Sequence, residues 1–109
     1  VVMHHAIAAF NDWPEYWKII GARYFLKDVM EGVRSFPQST YRHDTEFVVR
    51  PEDPNHPVTA GLKPFTITDE TYKGFLTEPD NHLLLTTDHP DSQREIGWCR
   101  THKNAQIAL

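Results

Sequence analysis

Two short runs carry side chains able to do chemistry: His4-His5 near the amino end, and Asp69-Glu70-Thr71-Tyr72 past the middle. Adjacent imidazoles can ligate a metal, hold a substrate oxygen or move a proton near neutral pH. Carboxylates beside a phenol can bind sugar hydroxyls, hold a cation or act as an acid–base pair. A general-acid role needs one carboxyl raised in pKa by burial. Each run also has a plain structural reading, as histidines satisfied by backbone partners or as an exposed turn whose acid caps a helix. If a divalent metal is bound, His4, Asp69 and Glu70 form the set that could hold a hard cation or zinc; the residues name no other cofactor. Among the aromatics, Phe10 and Trp13 stand nearest the histidines and are candidates to line a pocket, whereas Tyr16 and Trp17 fall at core spacing. His56, between Asn55 and Pro57, reads as a turn-ordering residue. His89-Pro90-Asp91 reads as a surface loop. Cys99 reads as a small buried residue with no base identifiable beside it.

These side chains need elements to position them. Val1 to His5 has the pattern of a buried strand running into polar groups at its carboxyl end, which is where open α/β sheets keep their sites. Neighbouring strand residues face opposite ways, so only one imidazole serves a given site unless the chain bends sharply, as it does at a nucleophile elbow. Asp12-Trp13-Pro14-Glu15 predicts a helix start capped by Asp12, with the helix over Trp13 to Ile20 and Gly21 at its left-handed stop. From Ala22 to Arg42 no period is sustained, and a loop with short structure is expected. Strands follow at Thr45 to Arg50, at Phe65 to Thr68 leading into the acid pair, and at His82 to Thr87. A proline-rich link spans Pro51 to Pro57. Glu95 to Arg100 and Ala105 to Leu109 flank Thr101-His102-Lys103-Asn104 as a hairpin.

The sum is about five strands and one helix, too few helices for a sheet whose first strand looks covered on both faces. The 109 residues are therefore expected to be one partial α/β domain with a segment missing at one or both ends. A net charge of -4, with 11 basic residues scattered among 15 acids, offers a phosphate backbone little counter-charge and argues against nucleic acid. No apolar run approaches the roughly 20 residues of a membrane helix, and no charged segment leads into a signal-peptide core. With a single cysteine there is no disulfide framework; a cytoplasmic setting is the expectation.

Taken together, His4-His5-Ala6-Ile7, Trp13-Pro14-Glu15-Tyr16-Trp17 with Ile20-Gly21, His56-Pro57-Val58-Thr59-Ala60-Gly61-Leu62 and Asp69-Glu70-Thr71-Tyr72 resemble, in that order, the ThuA-like family of trehalose utilisation. The resemblance implies a flavodoxin-like sheet of the class I glutamine amidotransferase type, incomplete here and ending in an antiparallel hairpin. It places His4 at the elbow, where the amidotransferases carry cysteine, so glutaminase chemistry, which needs a thiolate, is not expected. It also implies an absent amino-terminal part and an absent closing Gly-His segment. The implied role is enzymatic use of trehalose or a related keto-disaccharide, with His4, Asp69 and Glu70 catalytic and His5, Phe10, Trp13 and Tyr72 around the sugar. The other reading is a non-catalytic carbohydrate-binding or scaffold domain, and self-association into a homo-oligomer is open under both.

Overall fold

The computed structural model of the chain describes residues 7–109. The expected strand from Val1 to His5, and with it His4 and His5, lies outside the described residues. What is described is an antiparallel sheet with one short helix against it. The helix, α1, spans Pro14–Ile20. Proline is tolerated in its first turn because that N–H would be unpaired anyway. It stops where Gly21 turns left-handed at φ 82° and its N–H caps the Trp17 carbonyl at 2.9 Å. Only glycine fits there: a Cβ at Gly21 would stand 2.2 Å from Asn81 Oδ1. The capping residue is Trp13 and not Asp12, since Trp13 holds the extended backbone of a cap at φ -110° and ψ 101°, and its indole, a donor only, makes no side-chain cap bond.

Beyond the helix the stretch expected to be mostly loop contains short strands. β1 (Ala22–Arg23) pairs with β6 (Leu76–Thr77), and β2 (Val29–Glu31) forms a tight hairpin with β3 (Arg34–Phe36). Ser39 ties this region down: its hydroxyl accepts the Phe25 N–H at 2.9 Å and donates to the Gly74 carbonyl at 3.0 Å. The long strands are β4 (Thr40–Pro51), β5 (Phe65–Lys73), β7 (His82–Thr86), β8 (Glu95–His102) and β9 (Ala105–Ala108), in the order β5-β4-β7-β8-β9. All four of its pairings are antiparallel, so these strands need no helical crossovers and the helix shortage disappears for them.

Two strands outrun their expected bounds. β4 begins at Thr40, ahead of Thr45, and β5 continues past Thr68 through the whole acid run. Asp69 to Tyr72 therefore belong to a strand and not to a turn, because Thr71 is buried at 2 % exposure and Tyr72 packs on the core. That core gathers Ile7, Ala22, Tyr24, Phe75 and Trp98. Trp98 also fixes the helix, its indole N–H donating to the Ile20 carbonyl at 2.7 Å. The Asn81 side-chain amide donates to the Gly21 carbonyl at 2.7 Å, and the Glu78 N–H reaches the same oxygen at 2.9 Å. The carbonyls of Ile20 and Gly21 at the end of α1 are thus taken up by β8 and by the loop that leads into β7. The expected closing hairpin is present as β8 and β9, turning at Lys103, whose φ is 53°.

Candidate functional site

The site is built on β5 and the part of β4 beside it. On a strand, residues two apart share a face, which sets Glu70 and Tyr72 side by side; the Tyr72 hydroxyl donates to Glu70 Oε2. The register of β4 against β5 slips between Arg42 and Thr45, a bulge at which Asp44 adopts φ 52°. The extra residue re-aims the strand and brings His43 across from Glu70, where its Nδ1 stands 2.7 Å from Oε1. Glu70 thus joins the two side chains, accepting the Tyr72 hydroxyl at one oxygen and pairing with the His43 ring at the other. Asp69 Oδ1 accepts the Glu70 N–H at 2.8 Å, holding the two acids in fixed relation.

Burial pushes the Tyr72 phenol well above its ordinary value, with the hydrogen bond and negative charge of Glu70 adding to the rise. Burial likewise raises Tyr24, whose ring meets Tyr72 edge-on at 5.9 Å. Both phenols stay protonated donors at neutral pH. Beside them opens a cleft of about 240 Å³ bordered by Asp69, Glu70, Thr71 and Tyr72, with apolar walls that include Phe47, Ile67 and Trp98. In its wall the Thr71 hydroxyl is buried without a hydrogen-bond partner among the described residues, an uncommon state for a polar atom and a ready contact for a ligand hydroxyl.

Of the residues expected at the site, Asp69, Glu70 and Tyr72 come together here. Phe10 and Trp13 do not border this cleft. They meet Tyr16 in an aromatic group of their own, edge-on or tilted with centroids 5.1 to 6.4 Å apart, and are 66 % and 47 % exposed. His4 and His5 are outside the described residues, so the cation set His4, Asp69 and Glu70 has only its two carboxylates in view; among the described residues no three metal-ligating side chains already converge. Sequence reasoning missed His43. Its only signal was the polar run Tyr41-Arg42-His43-Asp44 breaking strand alternation just before Phe47 and Val49. It also missed the imidazole beside Cys99: His56 Nε2 lies 3.4 Å from Cys99 Sγ. The expected turn role of His56 is seen as well, its Nδ1 accepting the Val58 N–H at 3.2 Å.

No helix among the described residues is long and apolar enough to cross a membrane. No curated protein matches the chain. The crystal structure of a ThuA-like protein from Parabacteroides merdae superposes with a TM-score of 0.75 at 20% identity, over 99% of this chain and 47% of that one. The likeness is one of fold, and the chain spans about half the length of that neighbour. The sequence model of the trehalose-utilisation family matches residues 1–107. The chain belongs to the ThuA family of trehalose utilisation.

Proposed function

We propose that this chain is part of an enzyme acting on trehalose or a related keto-disaccharide, with Glu70 as its central carboxylate. The observation that carries the reading is the His43–Glu70–Tyr72 chain at the border of a cleft of sugar-unit size. Glu70 accepts the Tyr72 hydroxyl and pairs with His43, which sets a phenol and an imidazole against the carboxylate that borders the cleft, the combination a proton transfer to or from substrate needs. Asp69 and the unpartnered Thr71 hydroxyl bind sugar hydroxyls, and the apolar walls take the C–H faces of a ring. His4 adds an acid–base or ligand group, and His5 a contact to the sugar. Phe10 and Trp13 offer rings to a second sugar unit.

Several wider expectations belong to the same reading. The antiparallel sheet is the closing part of a flavodoxin-like domain whose other strands lie outside this sequence, the setting is cytoplasmic, and nucleic acid is not a partner. The test is turnover of trehalose and its keto derivatives, followed by mass spectrometry. Glu70→Gln keeps the shape and removes the charge, and turnover falls at least about 100-fold if the carboxylate serves proton transfer. Unchanged turnover defeats the proposal. Calorimetric sugar binding by the parent with no product after long incubation replaces it with the carbohydrate-binding reading.

A further inference from the structure

A second cluster of reactive side chains, independent of the Glu70 site, lies where the turn after β4 folds over the start of β7 and the middle of β8. His82 and Cys99 are direct cross-strand partners, so their side chains leave the sheet side by side. The turn is locked by the Thr59 hydroxyl on the Asp53 carbonyl at 2.5 Å and by the Asn55 N–H on Asp53 Oδ1 at 3.1 Å. It lays His56 against both strands. Cys99 Sγ is 3.4 Å from His56 Nε2, the rings of His56 and His82 are 5.4 Å apart, and His82 Nε2 is 2.7 Å from Asp53 Oδ2. A cleft of about 500 Å³ adjoins them, bordered also by Arg100 and Gln106.

Two of these separations, Cys99 to His56 and ring to ring, are close to those of a tetrahedral thiolate–imidazole centre. Metal–sulfur and metal–nitrogen bonds of about 2.3 and 2.0–2.1 Å at tetrahedral angles put a ligating sulfur about 3.5 Å from a ligating nitrogen, and two ligating rings about 5.2 Å apart. Asp53 on the far nitrogen of His82 is the carboxylate partner that orients a ligating histidine. We propose that Cys99 Sγ, His56 Nε2 and His82 Nδ1 bind one divalent cation of the zinc class, with Asp53 orienting His82 and the adjoining cleft leaving a fourth position open. A sulfur and two imidazoles select zinc over magnesium or calcium.

The ligand atoms do not yet stand around one point. Closing the site takes a side-chain rotation of His82, which is 54% exposed. Ligation by His56 Nε2 keeps the proton on Nδ1, so it gives up the bond from the Val58 N–H.

Co²⁺ and Zn²⁺ are the probes, added to the reduced, metal-stripped protein. One equivalent of Co²⁺ is expected to give the visible bands of a four-coordinate ion together with a sulfur-to-cobalt charge-transfer band, both displaced by Zn²⁺. Because Cys99 is the only cysteine, that band reports this site alone. Cys99→Ser removes it, while His56→Ala, His82→Ala and Asp53→Asn each weaken Co²⁺ binding about 10- to 100-fold. Should Cys99→Ser fail to fold, His82→Ala, on an exposed side chain, carries the test. Cobalt spectra without the sulfur band, as a site at Asp69 and Glu70 would give, overturn the proposal, as does parental affinity in both histidine variants.

Discussion

Replacing Tyr72 with Phe removes one oxygen from the centre of the Glu70 site and little else. The ring keeps its edge-on contact with Tyr24 at 5.9 Å and its place against the core. What goes is a hydrogen bond to a carboxylate, a class worth about 1.5–3 kcal/mol. Glu70 keeps His43 at 2.7 Å and its side chain is 28% exposed, so water replaces part of the loss and the lower figure applies, about 1.5 kcal/mol. With an unfolding entropy of about 2.1 cal/mol/K per residue, that lowers Tm by about 7 °C.

Alkaline pH gives the same substitution a second readout. The native state holds the Tyr72 phenol above its ordinary value of 10.0, chiefly through burial. A raised pKa means that the folded chain keeps the proton more tightly than the unfolded one. The contribution is whole below pH 10 and is lost as pH rises through the folded value. Stability of the parent should therefore fall more steeply above pH 10 than that of Tyr72→Phe, narrowing the gap between them. Tyr16 and Tyr24, raised by burial too, leave the variant part of the slope. Urea titrations at pH 7.5 and at several values above 10 measure both effects. Equal midpoints at pH 7.5, or parallel alkaline limbs, would refute the buried phenol–carboxylate bond.

Trp98→Phe should cost about 2–4 kcal/mol in urea denaturation, since it strands the Ile20 carbonyl now 2.7 Å from the indole N–H and leaves a void in the core. Gly97→Ala should cost about 1–3 kcal/mol, because its Cβ would stand 2.9 Å from Leu85, the residue it faces across the strands. Adding Leu85→Ala should recover part of that loss, and strict additivity of the two changes would deny the clash.

Helix α1 and the closing hairpin were readable because their determinants are local. Pro14 at the first turn, Gly21 at the stop and the apolar spacing of Tyr16 and Ile20 lie within one short window. The alternation from Glu95 onward needs only its neighbour β9. The elements that escaped are those whose partners are distant in sequence. β1 is two residues that become a strand only because Leu76 and Thr77 lie beside them, and no periodicity can report that. β5 outran its expected end for the same kind of reason. Asp69 and Glu70 look like turn residues by type, yet they are carried in a strand because β4 supplies a hydrogen-bonded edge as far as Thr40.

The site divides along the same line. The acids and the phenol of Asp69-Glu70-Thr71-Tyr72 could be picked out by type, and the period of two then sets Glu70 beside Tyr72. The group that makes Glu70 more than a surface carboxylate is His43, and its position depends on one extra residue in β4. Without the bulge, the pairing of Thr45 with Asp69 would run on in step, and His43 would sit directly opposite Thr71, on the face away from Glu70. A one-residue slip reverses every side chain of a strand, and the strained backbone of Asp44 marks where that slip is built in. The chemistry of the cleft is therefore set by the register between two strands, which a single run of residues cannot display.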